Sequence, residues 1–397
     1  MVGLARICHE RGAIVSGSDA KDSANLESLS ELGITIHVGI HPGRVAKPDR
    51  IVYSSAIPED HSERALAPGL RRGEFLAALA KSYQRPVGIA GSHGKTTVTA
   101  MLTHILLRCG LRNGYLIGGD VPGIPCAAAG DGDIFISEVD ESDQTQAGFH
   151  SAEAIVVNAD DDHCWSVGGE AALDACFRTF AANAQHLTTW DSPRTRALFA
   201  DSATATFLSQ IPVELRIPQT GAHNRSNAAL AIAVAARLGL CDVEATAAMA
   251  DFPGVDRRLT LRNDWLVEDY AHHPTEVAAS LQALRESHPE RRLRVVFQPH
   301  RNERVRRYCA EFARALSQAD TVIVTRAFDA WVDDSGIAQA SDIVAACTVS
   351  ADYLDLPWDA LAERIAKSAT PGDLFVIMGA GDIAELVPLC EARLGIS

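Results

Sequence analysis

Residues 91–97 read Gly91-Ser92-His93-Gly94-Lys95-Thr96-Thr97, with glycines and a lysine–threonine pair at a spacing that could cradle phosphates. Glycines let main-chain N–H groups face an anion, Lys95 adds a point charge, and the Thr96 hydroxyl suits Mg²⁺. An apolar run, Val87–Ala90, precedes the loop, and a helical pattern with Val98, Met101, Leu102, Ile105 and Leu106 follows it. That order aims a helix N-terminus at the bound phosphates. The general pattern has a glycine five residues before the Gly-Lys pair, where this chain has Ile89, so the loop is a tighter variant.

Four further clusters stand at the ends of expected strands. Ser137-Glu138-Val139-Asp140-Glu141-Ser142-Asp143 follows Asp133–Ser137. By itself an acidic run reads as a solvated loop; beside a phosphate loop it can hold Mg²⁺, which prefers oxygen ligands. Asn158-Ala159-Asp160-Asp161-Asp162-His163 follows another strand, where a histidine behind three aspartates is a site candidate as well as a structural one. Val267–Pro274 and Gln298–Arg304 share that placement, and ligands of open parallel sheets bind outside the carboxyl ends of strands. Arg301 and Arg304 are three apart, so an opening helix carries them on one face, suited to a carboxylate or phosphate. Arg306 and Arg307 mark part of that run as solvated surface, and Gly379-Ala380-Gly381-Asp382 reads as a tight strand-to-helix turn.

These clusters require a scaffold of parallel strands and covering helices. Short apolar runs alternate with helical patterns throughout: Ala13–Ser16, Arg50–Ser54, Val87–Ala90, Asp133–Ser137 and Ala154–Asn158, then Leu266–Glu268, Arg294–Gln298, Thr321–Thr325 and Leu374–Met378. Most are continuous rather than alternating, as in strands buried on both faces. The implied class is α/β with three domains: a Rossmann-like N-terminal domain, a central mononucleotide-binding domain with a mostly parallel sheet, and a Rossmann-like C-terminal domain. Boundaries fall at residues 1–85, 86–252 and 253–397, with a hinge at Ser82–Pro86 and a junction at Pro253-Gly254. An alanine-rich helix, Ser226–Leu238, closes the second block, capped by Gly239.

Composition agrees: 397 residues, 47% apolar and 22% charged, describe folded domains rather than disorder. The net charge of −15 argues against a nucleic-acid partner, and no apolar run reaches the ~18 residues of a membrane span. Nine scattered cysteines with no C-x-x-C pair read as reduced thiols in a cytoplasmic protein.

Taken together, the motifs resemble the Mur ligase family. The resemblance rests on GSHGKTT (91–97), SEVDESD (137–143), NADDDH (158–163), GAHNRSN (221–227), GVDRRL (254–259), EDYAHHPTEV (268–277), FQPHR (297–301) and GAGDI (379–383), with VSGSD (15–19) and VYSSAIPED (52–60) upstream. It spans nearly the whole chain in order and lies nearest the branch that joins L-alanine to UDP-N-acetylmuramate. It implies that ATP and Mg²⁺ activate the sugar's carboxylate as an acyl phosphate, which an amine then attacks. It also implies roles for individual residues. Gly91, Ser92, His93, Gly94, Lys95, Thr96 and Thr97 line the phosphates; His223, Asn224 and Asn227 contact adenine; and Asp269 reaches the ribose. Thr96, Glu138 and His163 hold metal; Lys95, His163 and Arg258 act on the transferring phosphate. Ser18, Asp19, Ser54 and Ser55 meet the UDP-sugar, His93 lies beside its carboxylate, and Tyr270, His272, Arg301 and Arg304 form the amino-acid end.

The resemblance also implies a first strand and glycine-rich turn ahead of Met1, so the N-terminal domain is expected to be truncated, and the stretch between His163 and His223 is shorter than in the family. Competing readings are a murein-peptide recycling ligase of the same family and a homologue that binds nucleotide without ligating. The expected assembly is a monomer or homodimer.

Overall fold

A computed structural model describes residues 1–39, 47–140, 145–162, 164–328 and 339–394. The N-terminal region carries two small parallel pairs, β1 (Ser16–Asp19) with β2 (Thr35–Val38) and β3 (Ile51–Tyr53) with β4 (Gly69–Arg71). The strand expected at Ala13–Ser16 forms at Ser16–Asp19, and Ile14 is fully solvent-exposed. The apolar run misled there because no described residue covers Ile14.

The central sheet is built from β5 (Arg85–Ala90), β6 (Gly114–Leu116), β7 (Ala127–Ala128), β8 (Ile134–Glu138), β9 (Ser151–Val156), β10 (Ala184–Trp190) and β11 (Ala205–Leu208). Their spatial order is β11-β10-β9-β5-β8-β6-β7, parallel throughout except between β6 and β7. β5 lies between β8 and β9, buried from Pro86 onward. Pro86, which has no N–H to give a ladder, falls where the β9 pairing has not yet begun. The helix Lys95–Arg108 follows and is buried from Thr97 to Leu106, around its whole circumference, with Thr99, Thr103 and His104 among the enclosed side chains.

Residues 82–86, the expected hinge, include buried Tyr83, which stacks on Phe135 and donates to the Ala129 carbonyl at 2.7 Å. The first helix, Val2–Glu10, is also tied to this sheet. A Cβ on Gly3 would stand 2.3 Å from Leu116 Cδ1, and Glu10 accepts from Ala129 N at 2.7 Å.

The third sheet comprises β12 (Thr260–Asn263), β13 (Leu266–Asp269), β14 (Arg292–Phe297), β15 (Thr321–Val324), β16 (Ser350–Tyr353) and β17 (Asp373–Met378), ordered β12-β13-β17-β14-β15-β16. Only β12 runs antiparallel to its neighbour. β17 is buried at all six positions between β13 and β14.

The chain divides into two compact units: residues 1–217 with 226–253, and residues 218–225 with 254–397. The helix Ala222–Arg237 starts in the second and continues in the first. It ends as expected, with Gly239 left-handed at φ +103° and its N–H on Ala236 O. No described helix is long and apolar enough to cross a membrane.

Candidate active site

In the first unit, β5 delivers residues 91–94 to the head of the helix Lys95–Arg108. Gly91 has φ +141° and Gly94 φ +80°, a left-handed N-cap that brings no side-chain bond to the helix start. The first-turn N–H groups of such a helix form an anion-binding end. A side chain would also be crowded, since a Cβ on Gly91 would lie 3.1 Å from Asn158 N and one on Gly94 3.1 Å from Asn227 Oδ1. The structure therefore brings the expected Asn227 to the loop.

Lys95 Nζ donates to Gly91 O at 2.6 Å, and Thr96 Oγ1 donates to Glu138 Oε2 at 2.7 Å. Glu138 ends β8, next to β5, which places a carboxylate beside the hydroxyl. Thr97 is buried in the helix. Among the described residues no three His, Cys, Asp or Glu side chains form a metal-binding group. A hydroxyl and one carboxylate still suit Mg²⁺, which commonly completes its octahedron with water and substrate phosphates. His163 and Glu141–Asp143 lie outside the described residues.

The segment after β9 has a role that its sequence did not disclose. Asn158 Oδ1 accepts from His93 N at 2.9 Å, while Asn158 Nδ2 donates to His93 O at 3.0 Å. Ser92 Oγ donates to Asp160 O at 2.8 Å, and His93 Nε2 is 3.6 Å from an Asp160 carboxylate oxygen. β9 ends at Val156 rather than Asn158, freeing these residues to clamp the loop.

In the second unit, Asp269 ends β13 and is buried. Its carboxylate accepts Leu259 N at 2.8 Å and Ala271 N at 2.7 Å, and burial pushes its pKa up to about 6, against the opposing pull of Arg258 and these N–H groups. Arg257 and Leu259, on either side of Arg258, have φ +61° and +51°, so Asp269 fastens a strained turn that presents Arg258. Arg258 lies over the Tyr270 ring at 4.8 Å and 3.6 Å from Glu276. Burial and the Arg258 charge hold His223 below the usual histidine range, against the pull of Glu276, and Asn224 donates to Thr220 O at 2.8 Å.

The expected amino-acid end converges here. The Tyr270 and His272 rings are 5.3 Å apart, those of His272 and His300 5.6 Å, and Arg304 Nη1 is 3.2 Å from His300 Nδ1. Arg304 is fully buried. Arg301 caps the helix Asn302–Leu316 at φ 68°, ψ 127°, a conformation that L-residues rarely hold. Glu276 and His300 belong to this cluster although their spacing singled out neither; Glu276 accepts from His272 N at 3.0 Å and pairs with its ring at 3.3 Å.

The expected sugar contacts lie at the end of β1 and just after β3 in the N-terminal region. Ser18 donates to Glu63, Asp19 accepts Lys21 N at 3.1 Å, Ser54 Oγ accepts Ala56 N at 3.3 Å, and Ser55 is exposed.

Comparison with known proteins places this geometry. Residues 1–84 match the "Mur ligase family, catalytic domain" and residues 257–381 the "Mur ligase, glutamate ligase domain". A UDP-N-acetylmuramate–L-alanine ligase of Streptomyces coelicolor is 35% identical over 98% of this chain and 94% of its own length. The UDP-N-acetylmuramate–alanine ligase of Thermotoga maritima superposes at TM-score 0.84 with 23% identity, covering 100% of this chain and 96% of that one. A murein peptide ligase of Psychrobacter arcticus gives 0.73 with 21% identity over the same shares, 100% and 96%. At those identities the two structures speak for the three-domain α/β fold alone. Near-full-length identity to a curated relative decides the rest: this chain belongs to the Mur ligase family.

Proposed function

We propose that this chain is an ATP-dependent ligase that joins L-alanine to the carboxylate of UDP-N-acetylmuramate, a step of cytoplasmic peptidoglycan precursor synthesis. One observation carries the chemistry: Thr96 and Glu138 share a hydrogen bond at the N-terminus of the helix that Lys95 opens. That is a built place for a nucleotide's phosphates and their cation. The acceptor follows from identity to the L-alanine ligases over nearly the whole chain.

The reaction balances as two displacements. A sugar carboxylate oxygen attacks the γ-phosphorus as ADP leaves, and the alanine amine then attacks the acyl carbon as phosphate leaves, with a proton lost from nitrogen. Mg²⁺, when bound, would neutralise charge on the β- and γ-phosphates, and Thr96 and Glu138 would hold it. Lys95 holds the same phosphates, and main-chain N–H groups of the loop and the first helical turn orient them, that of His93 being given to Asn158. His93, fixed by Asn158 and facing Asp160, meets the reacting carboxylate. Arg258 offsets charge on the transferring group. Tyr270, His272, Arg301 and Arg304 receive the amino acid, whose carboxylate suits a guanidinium. In this reading residues 1–85 bind the UDP-sugar, 86–252 the ATP, and 253–397 the amino acid.

The test is phosphate release from ATP with UDP-N-acetylmuramate present or omitted, across a panel of amino acids and a murein tripeptide. Release requiring the sugar nucleotide and L-alanine together is expected. Release with the tripeptide alone would transfer the chain to the recycling branch. ATP binding without turnover on any acceptor would refute the ligase reading.

A further inference from the structure

Gly118 is a residue whose missing side chain has a chemical consequence. It follows β6, whose parallel register sets Leu116 opposite Ser137 and so carries residue 118 alongside the end of β8. Buried Ile117 fixes the main chain there by donating to Cys126 O at 2.8 Å. A Cβ built on Gly118 would stand 1.6 Å from Glu138 Oε1, 2.5 Å from its carboxyl carbon and 2.9 Å from Oε2. All three of these atoms belong to one carboxylate. The φ of Gly118 lies outside the left-handed region, so its backbone would accept an alanine. What forbids the methyl is the Glu138 carboxylate in the position from which it meets Thr96 Oγ1.

We propose that Gly118 is a positioning residue for the phosphate-side cation: its bare Cα is the floor on which Glu138 lies, and a methyl there turns the carboxylate away from Thr96. This rests on the reading of Thr96 and Glu138 as the cation's ligands. A side chain overlapped this closely must rotate rather than compress. The remaining two-residue geometry, a hydroxyl and a carboxylate on neighbouring elements, then opens. Support of this kind around a metal ligand is worth about 10- to 100-fold in metal affinity.

The experiment is a double-mutant cycle with Mn²⁺ as the probe, read by electron paramagnetic resonance of the free ion in ATP-saturated protein. The proteins are wild type, Gly118→Ala, Glu138→Ala and the double variant. Gly148→Ala serves as the control, since a Cβ there meets nothing within 4 Å. Gly118→Ala is expected to weaken Mn²⁺ about tenfold or more, with metal-free ATP affinity and Gly148→Ala unchanged. The double variant should be no weaker than Glu138→Ala, because a methyl cannot displace a carboxylate that is gone. Wild-type affinity in Gly118→Ala, or a loss that repeats in full in the Glu138→Ala background, would overturn the proposal. Unchanged affinity in Glu138→Ala would remove the ligand reading itself, a distinguishable result. Should Gly118→Ala fail to fold, recovery of a normal thermal transition in the double variant supports the overlap with Glu138, and failure of both places the requirement in the backbone and refutes it.

Discussion

Asn158 holds the main chain of His93 from both sides, accepting its N–H at 2.9 Å and donating to its carbonyl at 3.0 Å. An amide side chain presents a donor and an acceptor on separate atoms, so one residue can do both, and the loop's position becomes a function of a residue sixty-five places away.

Asn158→Ala therefore removes two hydrogen bonds, about 2 kcal/mol of stability, and lets the loop shift. Turnover is expected to fall about 100-fold. Asn158→Asp keeps the acceptor, loses the donor and adds charge near the phosphates, so it should raise the KM for ATP further than alanine does. Phosphate-release kinetics at saturating L-alanine decide this; wild-type kcat in both variants would leave the clamp without a role.

Lys95→Ala should lower kcat by at least about 1,000-fold, the scale on which a charge aimed at a transferring phosphoryl group acts. Lys95→Ala also removes the bond from Nζ to Gly91 O, so a thermal-melting control separates lost turnover from lost folding. Near-normal turnover would take the loop out of the mechanism.

The pKa of Asp269 predicts a stability slope. A carboxyl raised from 3.8 to about 6 in the folded state binds more protons there than in the unfolded chain. Stability from this group is then full below pH 3.8 and declines as pH rises to about 6, by up to about 3 kcal/mol. Urea midpoints of wild type and Asp269→Asn, compared at pH 4 and pH 7, should diverge in that sense. A parallel pair of curves would show that the two N–H groups and Arg258 balance burial, and divergence in the opposite sense that they outweigh it.

Arg301 offers a separation of strain from function. Its φ of 68° with ψ of 127° is readily held only by glycine, so Arg301→Gly should be about 1 kcal/mol more stable than Arg301→Ala. Both should raise the KM for L-alanine alike, because both lose the guanidinium. Equal stabilities would indicate that the backbone relaxes, and an unchanged KM would remove Arg301 from the amino-acid end.

The strand–loop–helix around residues 91–94 was legible because everything it needs is local: a buried strand, two glycines and a helix start within a dozen residues. Strands β13, β14, β15 and β17 were legible for the same reason, as continuous apolar runs. β10 was not, since its buried stretch includes Thr188 and Thr189, whose burial depends on neighbours; Thr189 Oγ1 donates to Val156 O across the sheet at 2.7 Å. β16 is a short edge strand with polar faces and carries no periodic signal. Of the site, most of the charged residues stood out by type. Asn158, Gly118 and Glu276 did not, because each acts through what the fold sets against it, and a glycine's purpose is visible only when the atom filling its space is known.

The helix Ala222–Arg237 begins in one compact unit and continues in the other. On a ribosome this sets an order of events. The first unit lacks part of its interior, including buried Leu230, Val234 and Phe252, until Pro253 has left the exit tunnel. Its parallel sheet must wait, incompletely covered, for a segment made more than a hundred residues after β5, and slow non-local closure of that kind exposes apolar surface during synthesis. Premature termination anywhere between residues 218 and 253 would release a nascent chain whose nucleotide-binding half cannot close, a fragment for chaperones and proteases rather than a smaller enzyme.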